Sequence, residues 1–178
     1  MRYYLAALLA VVCFSVAAQD YLPVDGSSRV RFKIKNFGAT VEGSLSQLQG
    51  TIRFNADNLS AALFDVTVEA STINTGIKMR DNHLRKPDYF NTSAFKKIRF
   101  VSTAVTAANK PYEAIVKGNL TIKEITKQVS IPFKYEVIGE TVHFTGEFKI
   151  NRKEYGVGGS SITMADELNL VLDVTASK

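Results

Sequence analysis

The sequence predicts an all-β protein, folded as an antiparallel barrel or a sandwich, and three observations support this fold class. Apolar and polar residues alternate with a period of two over most of the chain, which is the pattern of strands with one buried and one wet face. The connections between the alternating segments are short and carry turn-forming residues. One long segment, residues 71–90, interrupts the alternation and is expected to cap a β body.

The N-terminal residues 1–18 are predicted to form a secretory signal peptide. Arg2 precedes an apolar run and two small residues that lie directly before Gln19. The run is too short to span a bilayer, and no later segment reaches the required length. Cleavage before Gln19 would leave residues 19–178, which is the size of one domain with its own core. We therefore expect a periplasmic or secreted protein.

The composition disfavours several kinds of site. Cys13, the only cysteine, lies within the predicted signal peptide, so the mature chain would have neither a disulfide nor a thiol nucleophile. It would carry 21 basic and 17 acidic side chains, because Arg2 is the only charged residue removed. These charges are dispersed along the strands, which disfavours nucleic-acid binding and is compatible with contact to an anionic membrane surface.

The first strand is predicted around residues 30–35, where Val30, Phe32 and Ile34 form one face and basic residues form the other. The same alternation recurs down the chain and gives eight or nine strands, each with one apolar and one wet face. The apolar faces of the later strands are, in chain order, Ile52 and Phe54; Phe64, Val66, Val68 and Ala70; Ile98 and Phe100; Ala114, Val116, Gly118, Leu120 and Ile122; Val129, Ile131, Phe133, Tyr135 and Val137; Val142, Phe144, Gly146, Phe148 and Ile150; and Leu168, Leu170, Leu172, Val174 and Ala176.

The turns between these strands favour antiparallel neighbours. Gly139 and Glu140 fit a two-residue hairpin turn with glycine first, and residues 109–111 and 123–126 make further short connections. Pro132 lies on the polar face of its strand and has no N–H to donate. The strand that contains it is therefore expected at an edge, at a bulge or locally unpaired.

Helix is expected in two places only. Asn58 could cap a single turn within residues 58–63, and residues 78–85 contain no glycine or proline before Pro87. Both segments would lie as lids or corners on the β body. The sequence shows no internal repeat and no linker, so we expect residues 19–178 to form one domain.

The interruption at residues 71–90 holds most of the candidate site residues. Arg80 could clamp a polar headgroup, or it could form an ion pair with Asp81 that fixes the loop. His83 could donate a hydrogen bond to a polar ligand or to the backbone of its own loop. Arg152 and Tyr155, just after a strongly apolar strand, are open to the same two interpretations, structural or ligand-contacting.

No residue pattern predicts catalysis. His143 alternates with Val142 and Phe144 and so is expected on the wet face, and two distant histidines do not make a zinc site. The serines in residues 158–161 lack the spacing of a nucleophile elbow. The glycines in residues 156–159 lack the lysine of a phosphate-binding loop, which favours a tight turn.

The chain carries, in this order, SSRVRFKIKNFGATVEGSLSQLQGTIRFN, TINTGIKMRDNHLRKPDYFNTSAFKKIRFVS, GNLTIKEITKQVSIPF and INRKEYGV. These segments resemble successive landmarks of the YceI-like family of periplasmic proteins, and RDNHL followed by DYF is the most specific of them. The resemblance covers essentially the whole predicted mature chain. The chain departs from the family pattern at Tyr155, where phenylalanine is frequent, and at Glu124, where a turn glycine is frequent.

The resemblance implies an extended eight-stranded antiparallel β-barrel, lipocalin-like, with one or two short helices at its end. It also implies an apolar pore that holds a polyisoprenoid or another long-chain lipid, and no cofactor beyond that lipid. The residues expected to line the pore are Phe32, Ile34, Phe54, Val66, Val68, Phe100, Val116, Leu120, Ile131, Phe133, Tyr135, Phe144, Phe148, Leu170 and Leu172. The residues expected at the headgroup or pore mouth are Arg80, Asp81, His83, Phe90, Arg152 and Tyr155.

The leading functional hypothesis is a periplasmic carrier, store or scavenger of an isoprenoid quinone, a prenyl phosphate or a fatty-acid derivative. Such a protein would make transient contact with the membrane surface or with membrane proteins, and association of two chains stays open. Two alternatives remain. The barrel could be a partner-binding module of a membrane electron-transfer or stress-response system, or its pocket could hydrolyse or isomerise a lipid.

Overall fold

The computed structural model describes residues 19–178, and the predicted signal peptide lies outside the described residues. The strands are β1 (Gln19–Pro23), β2 (Arg29–Asn36), β3 (Ala39–Phe54), β4 (Leu63–Asn74), β5 (Lys97–Ala107), β6 (Glu113–Ile122), β7 (Ile125–Ile138), β8 (Thr141–Asn151) and β9 (Met164–Ser177). The helix α1 spans Lys78–Leu84, and short 3₁₀ turns span Asp25–Ser27, Leu59–Ala61 and Arg152–Tyr155. None of the helices in residues 19–178 has the length and the apolar composition of a membrane span.

Strands β2 to β9 form a closed antiparallel barrel of eight strands. Each strand pairs with the next one in the chain, and β2 also pairs with β9, which completes the ring. The short strand β1 lies at one end, where it pairs with the last residues of both β3 and β9. The eight-stranded barrel is confirmed, and the sandwich that the alternation left open is wrong.

The sequence interpretation missed most of β3, which is 16 residues long. Leu45 and Leu48 both turn inward although three positions separate them, because the register with β4 shifts between Ser46 and Gln49. Gln47 lies at this bulge with φ of 58°, a conformation unusual for a residue other than glycine. The extra residue breaks the period of two, so the alternation pattern did not extend across it.

Pro132 lies in β7 at the point where the pairing of β7 with β8 ends. β7 pairs with β6 from Ile125 to Lys134, but it pairs with β8 only from Phe133 to Ile138. Because Pro132 has no N–H to donate to β8, the ladder stops where the proline begins. The expected local unpairing is confirmed, and the strand is not at an edge.

Aromatic side chains fill the end of the barrel at β1, which we call the closed end. Phe54 is 2% exposed, and its ring centroid lies 4.9, 5.1 and 6.5 Å from those of Tyr135, Phe144 and Phe64. The rings meet edge to face, a geometry that adds roughly 0.5–1.5 kcal/mol per pair beyond the burial of area. The connections at this end are residues 24–28, 55–62, 108–112 and 139–140.

The opposite end carries α1, and we call it the α1 end. Its connections are residues 37–38, 75–96, 123–124 and 152–163. The helix expected at residues 78–85 is confirmed, and the single turn expected within residues 58–63 is present as the 3₁₀ turn Leu59–Ala61. Arg85 donates from Nε to the carbonyl of Ser71 and from Nη2 to that of Ile73, both at 2.8 Å, so the C-terminus of α1 is fastened to β4.

Candidate functional site

A long cavity with a volume of about 260 Å³ runs inside the barrel. All eight barrel strands contribute to its wall, because each turns an apolar face inward. The cavity begins at Phe64 and Phe144 of the closed end. It extends to the α1 end, where the partly exposed Asn36, Val41 and Met164 line it and form what we call its rim.

Most of the residues expected to line the pore do line this cavity. They are Phe32, Ile34, Val66, Val68, Phe100, Val116, Leu120, Ile131, Phe133, Phe144, Phe148, Leu170 and Leu172. Phe54 and Tyr135 are the exceptions, because their rings pack against each other in the aromatic cluster of the closed end. That these side chains touch a ligand stays a prediction.

Several lining residues were not expected from the sequence. Leu45 and Leu48 were hidden by the bulge in β3, and Ile73 lies where β4 departs from regular pairing with β3. Asn36 is polar, Met164 is flexible, and both lie at the ends of strands, so the alternation of apolar residues could not identify them as lining residues. They pair with each other across β2 and β9, and this pairing places both at the rim.

Two glycines determine how closely phenylalanine rings approach the cavity wall. A Cβ added to Gly43 would lie 2.3 Å from Cζ of Phe32, and one added to Gly118 would lie 2.5 Å from Cζ of Phe100. Both separations are far shorter than a van der Waals contact, so each ring lies over the space that a side chain would occupy. The width of the cavity therefore depends on glycine at these two positions.

Thr75 connects the two charged residues of the motif RDNHL. Its backbone N–H donates to Oδ1 of the buried Asp81 at 2.8 Å, and its hydroxyl donates to the same oxygen. The hydroxyl also accepts from Nε of Arg80 at 2.7 Å, and the carbonyl of Thr75 accepts from Nη2 at 2.8 Å. Among residues 19–178, Arg80 and Asp81 form no direct ion pair, and Thr75 links them instead.

Arg80 and Phe90 line the cavity at the α1 end, whereas Asp81 and His83 do not. His83 is exposed on the outer side of α1, where its ring meets that of Tyr89 edge-on at a centroid distance of 4.9 Å. It borders a shallow outer groove together with Arg80, so Arg80 is the one residue of this motif shared by the groove and the cavity. His143, expected on the wet face, is partly exposed, and its Nε2 lies 2.7 Å from Oδ1 of Asp173.

Arg152 is 2% exposed and is held by acceptors of the protein itself. Nη1 donates to the carbonyls of Val157 and Gly159 at 3.0 and 2.9 Å, and Nη2 donates to Oδ1 of Asp166 at 2.9 Å. Nε donates to the carbonyl of Ala165 at 2.9 Å. These bonds fix the connection 152–163, so Arg152 has a structural role even though it also borders the cavity.

Tyr155 is 1% exposed and packs among apolar side chains at the α1 end, including Leu120, Ile150 and Val157. It does not line the cavity. Burial, with a smaller contribution from the nearby charge of Glu154, raises the pKa of Tyr155 to about 12. The phenol is therefore neutral at physiological pH. Within residues 19–178, no cluster of three or more metal-ligating side chains is present.

A sequence model of the YceI-like domain matches residues 23–176. The chain belongs to the YceI-like family. The resemblance drawn from its four sequence segments is thereby confirmed. The protein YceI of Salmonella arizonae and that of Salmonella paratyphi B are each 29% identical to this chain over 178 residues, with 96% of this chain and 92% of the relative covered.

Solved structures share the fold of this YceI-like protein. BcnA of Burkholderia cenocepacia superposes with a TM-score of 0.82 at 23% identity, over 87% of this chain and 99% of BcnA. A polyisoprenoid binding domain from Saccharophagus degradans superposes with a TM-score of 0.71 at 12% identity, over 90% of this chain and 98% of that domain. At such identities the comparison shows a common barrel.

Proposed function

We propose that this YceI-like protein binds one long-chain lipid, a polyisoprenoid or a similar slender chain, inside its barrel. The observation that carries the proposal is the apolar cavity, which all eight barrel strands line and which aromatic rings block at one end. A cavity blocked at one end favours a ligand that enters tail first. The polar end of the ligand would then remain at the α1 end.

Transfer energetics support a tail of this kind. Each methylene moved from water into an apolar cavity contributes roughly 0.8 kcal/mol, so a long tail needs no directional contact to bind tightly. An eight-stranded barrel admits side chains or one slender ligand, which favours a single chain over a bulky polycyclic molecule. The name of the Saccharophagus degradans domain adds support for the polyisoprenoid class, because that domain has the same fold.

Arg80 is the best-placed residue for the polar end of the ligand. Its guanidinium is oriented by the two bonds to Thr75, which use Nε and Nη2. Among residues 19–178, no acceptor binds its Nη1, and Arg80 lines the cavity. A phosphate, a quinone carbonyl or a carboxylate could accept from Nη1, and arginine suits each of these groups.

The proposal is binding without turnover, in the periplasm or outside the cell as the predicted signal peptide implies. A lipid held in this way is shielded from water whether the protein carries, stores or sequesters it. The partner-binding module and the lipid-converting enzyme are the alternatives that an experiment must separate.

Native mass spectrometry of the protein exported by its own signal peptide tests the proposal, followed by solvent extraction and identification of what co-purified. We expect a stoichiometric lipid adduct. Arg80→Ala should retain the tail but lose selectivity for the headgroup, whereas Arg29→Ala provides a control on the exposed side of the closed end. A mass that stays free of adduct after incubation with total membrane lipids would favour the partner module, and release of a modified lipid would favour the enzyme.

A further inference from the structure

We propose that the α1 end docks on the surface of an anionic lipid bilayer, with the rim of the cavity turned toward the lipid headgroups. The proposal builds on the lipid-binding function, because it names the surface at which the ligand would enter or leave. Docking and lipid loading are separate measurements, so either can fail while the other stands. The proposal rests on the apolar side chains, the charges and the position of the cavity at this end.

Four large apolar side chains are exposed at the α1 end, each by half or more of its surface: Phe37, Ile77, Met79 and Ile162. The backbone N–H of Phe37 donates to the carbonyl of Thr163 at 2.9 Å, which brings the β2–β3 turn beside the loop that carries Ile162. Asn36 directly precedes Phe37 and Met164 directly follows Thr163, and both belong to the rim. Phe37 and Ile162 therefore project from the segments that border the rim.

Ile77 and Met79 project from the start of α1, and Met79 is 82% exposed. Arg80 connects this segment to the cavity, because it borders both the cavity and the outer groove. Lys78 and Lys86 also border the groove and are exposed. Apolar side chains that can enter the acyl boundary, flanked by lysines that can meet phosphates, are typical of elements that lie on a membrane surface.

The formal charge of the connections differs between the two ends. Those of the α1 end carry eight basic and four acidic side chains, a net charge of +4. Those of the closed end, counted with Lys178, carry two basic and three acidic side chains, a net charge of −1. An anionic bilayer attracts basic residues near its surface, so this asymmetry orients the barrel with its α1 end toward the membrane.

Exposed apolar side chains alone do not distinguish the two ends. Leu22, Tyr112 and Ile138 are exposed there by 61, 70 and 59%. That end lacks the excess of basic residues, and aromatic rings block the interior behind it. At the α1 end, the same kind of exposed surface coincides with positive charge and with the rim of a cavity suited to lipid. This combination favours a bilayer over a protein partner as the occupant.

A single fluorophore can report the docking orientation, because the chain contains no tryptophan. Met79→Trp places an indole at the α1 end, and Leu22→Trp places one at the closed end on a residue that is also exposed. Both variants are expressed from the full 178-residue sequence and exported by its predicted signal peptide. The purified proteins are mixed with vesicles of phosphatidylglycerol and phosphatidylcholine, or of phosphatidylcholine alone. We expect a blue shift and quenching by brominated acyl chains for Met79→Trp on the anionic vesicles only, and neither effect for Leu22→Trp.

Charge reversal tests the electrostatic part of the proposal. Lys78→Glu combined with Lys86→Glu should lower the partition coefficient onto anionic vesicles at least about tenfold, measured by sedimentation at low salt. Lys110→Glu combined with Lys178→Glu makes the same change in charge at the closed end and should lower it less than about twofold. High salt should weaken binding of the unchanged protein, since exposed charges are screened.

Equal losses for the two double variants, equal binding to neutral and anionic vesicles, or a blue shift for Leu22→Trp as large as for Met79→Trp would each overturn the proposal. Absence of vesicle binding, or specific capture by a membrane protein instead of by protein-free vesicles, would overturn it as well. The co-purified lipid of each variant is measured in the same preparations. A normal lipid load without docking would refute docking alone, and docking without any lipid load would refute the lipid-binding function instead.

Discussion

The two ends of this barrel are built from the same eight strands, yet one is packed solid and the other is hollow. At the closed end, Phe54, Phe64 and Phe144 meet edge to face, and the cavity ends at the rings of Phe64 and Phe144. Toward the α1 end, Phe32 and Phe100 instead lie over glycines and leave a cavity between the walls. The comparison shows that aromatic residues of one barrel can fill the core at one end and line a cavity at the other.

The largest effect is expected from opening the packed end. Phe54→Ala removes a ring that is 2% exposed and has three aromatic neighbours, so it should lower the free energy of unfolding by about 3–5 kcal/mol. Leu170→Ala is the control. The side chain of Leu170 faces the cavity, so this substitution should lower the free energy of unfolding by clearly less. Urea unfolding monitored by circular dichroism measures both, and equal losses would mean that the two regions are packed alike.

A second test uses the buried phenol of the α1 end. Burial raises the pKa of Tyr155 from its ordinary value of 10.0 to about 12 in the folded protein, so the folded state holds this proton more tightly than the unfolded state. Ionisation of this phenol has no effect on stability below about pH 10, where both states are neutral. As the pH rises from about 10 to 12, the phenol ionises in the unfolded state first, so the free energy of unfolding falls by roughly 2–3 kcal/mol in total.

Tyr155→Phe should therefore flatten the loss of stability between pH 10 and 12 while changing stability little at pH 7. Tyr112→Phe is the control, because Tyr112 is exposed at the closed end. The measurement is the unfolding midpoint in denaturant as a function of pH. Parallel pH profiles for Tyr155→Phe and the unchanged protein would show that burial of this phenol has no bearing on alkaline stability.

A third effect concerns the buried guanidinium that holds the connection 152–163. Arg152→Ala leaves the carbonyls of Ala165, Val157 and Gly159 without their donors, which should cost about 1–3 kcal/mol of stability. Asp166 keeps its contact with Lys153, so the loss stays below that of a broken, fully buried ion pair. Arg80→Ala is the matched control and should cost less, because Arg80 bonds only to Thr75. Thermal unfolding of both variants ranks them, and the reverse order would contradict the structural role of Arg152.

The smallest change in stability, with a clear change in ligand, is expected at the cavity wall. Gly43→Ala forces the Phe32 ring away from the wall and into the cavity. Because the ring has room to move, stability should fall by only about 1 kcal/mol, the low end for overpacking, while the bound lipid becomes shorter. Gly26→Ala is the control, because a Cβ there meets nothing within 4 Å. Mass spectrometry of the co-purified lipid measures the chain length. An unchanged lipid distribution would mean that the space beneath the Phe32 ring does not limit the ligand.

The barrel could be predicted from the sequence because period-two alternation determines which face of a strand is buried. Val30, Phe32 and Ile34 were assigned to the inner face in this way, and they line the cavity. The inward turn of Leu48 could not be assigned, because the bulge at Gln47 shifts the period by one residue. A local irregularity of the backbone leaves no reliable mark in an alternation pattern.

The candidate site was harder to predict than the fold, because it depends on contacts between distant residues. The role of Thr75 as the link between Arg80 and Asp81 requires the chain to turn back on itself, which composition does not reveal. Likewise, Phe54 and Tyr135 share the alternation of the lining residues but lie beyond the end of the cavity. Alternation determines the side of the wall, and only the packing at each end determines how far the cavity extends.

Strand β1 has a consequence for the order of folding. Its residue Leu22 is paired with Ser177 of β9, whereas Gln19 is paired with the much nearer Phe54 of β3. The β1–β9 and β2–β9 pairings both close loops that run through most of the described chain, and contacts at such separation form slowly because the entropy of closing the loop must be overcome first. The strand pairs joined by short turns, such as β2–β3, β6–β7 and β7–β8, can form as local hairpins before those contacts exist. We therefore expect the hairpins to form first, and the pairing of β9 with β1 and β2, which closes the ring, to form last.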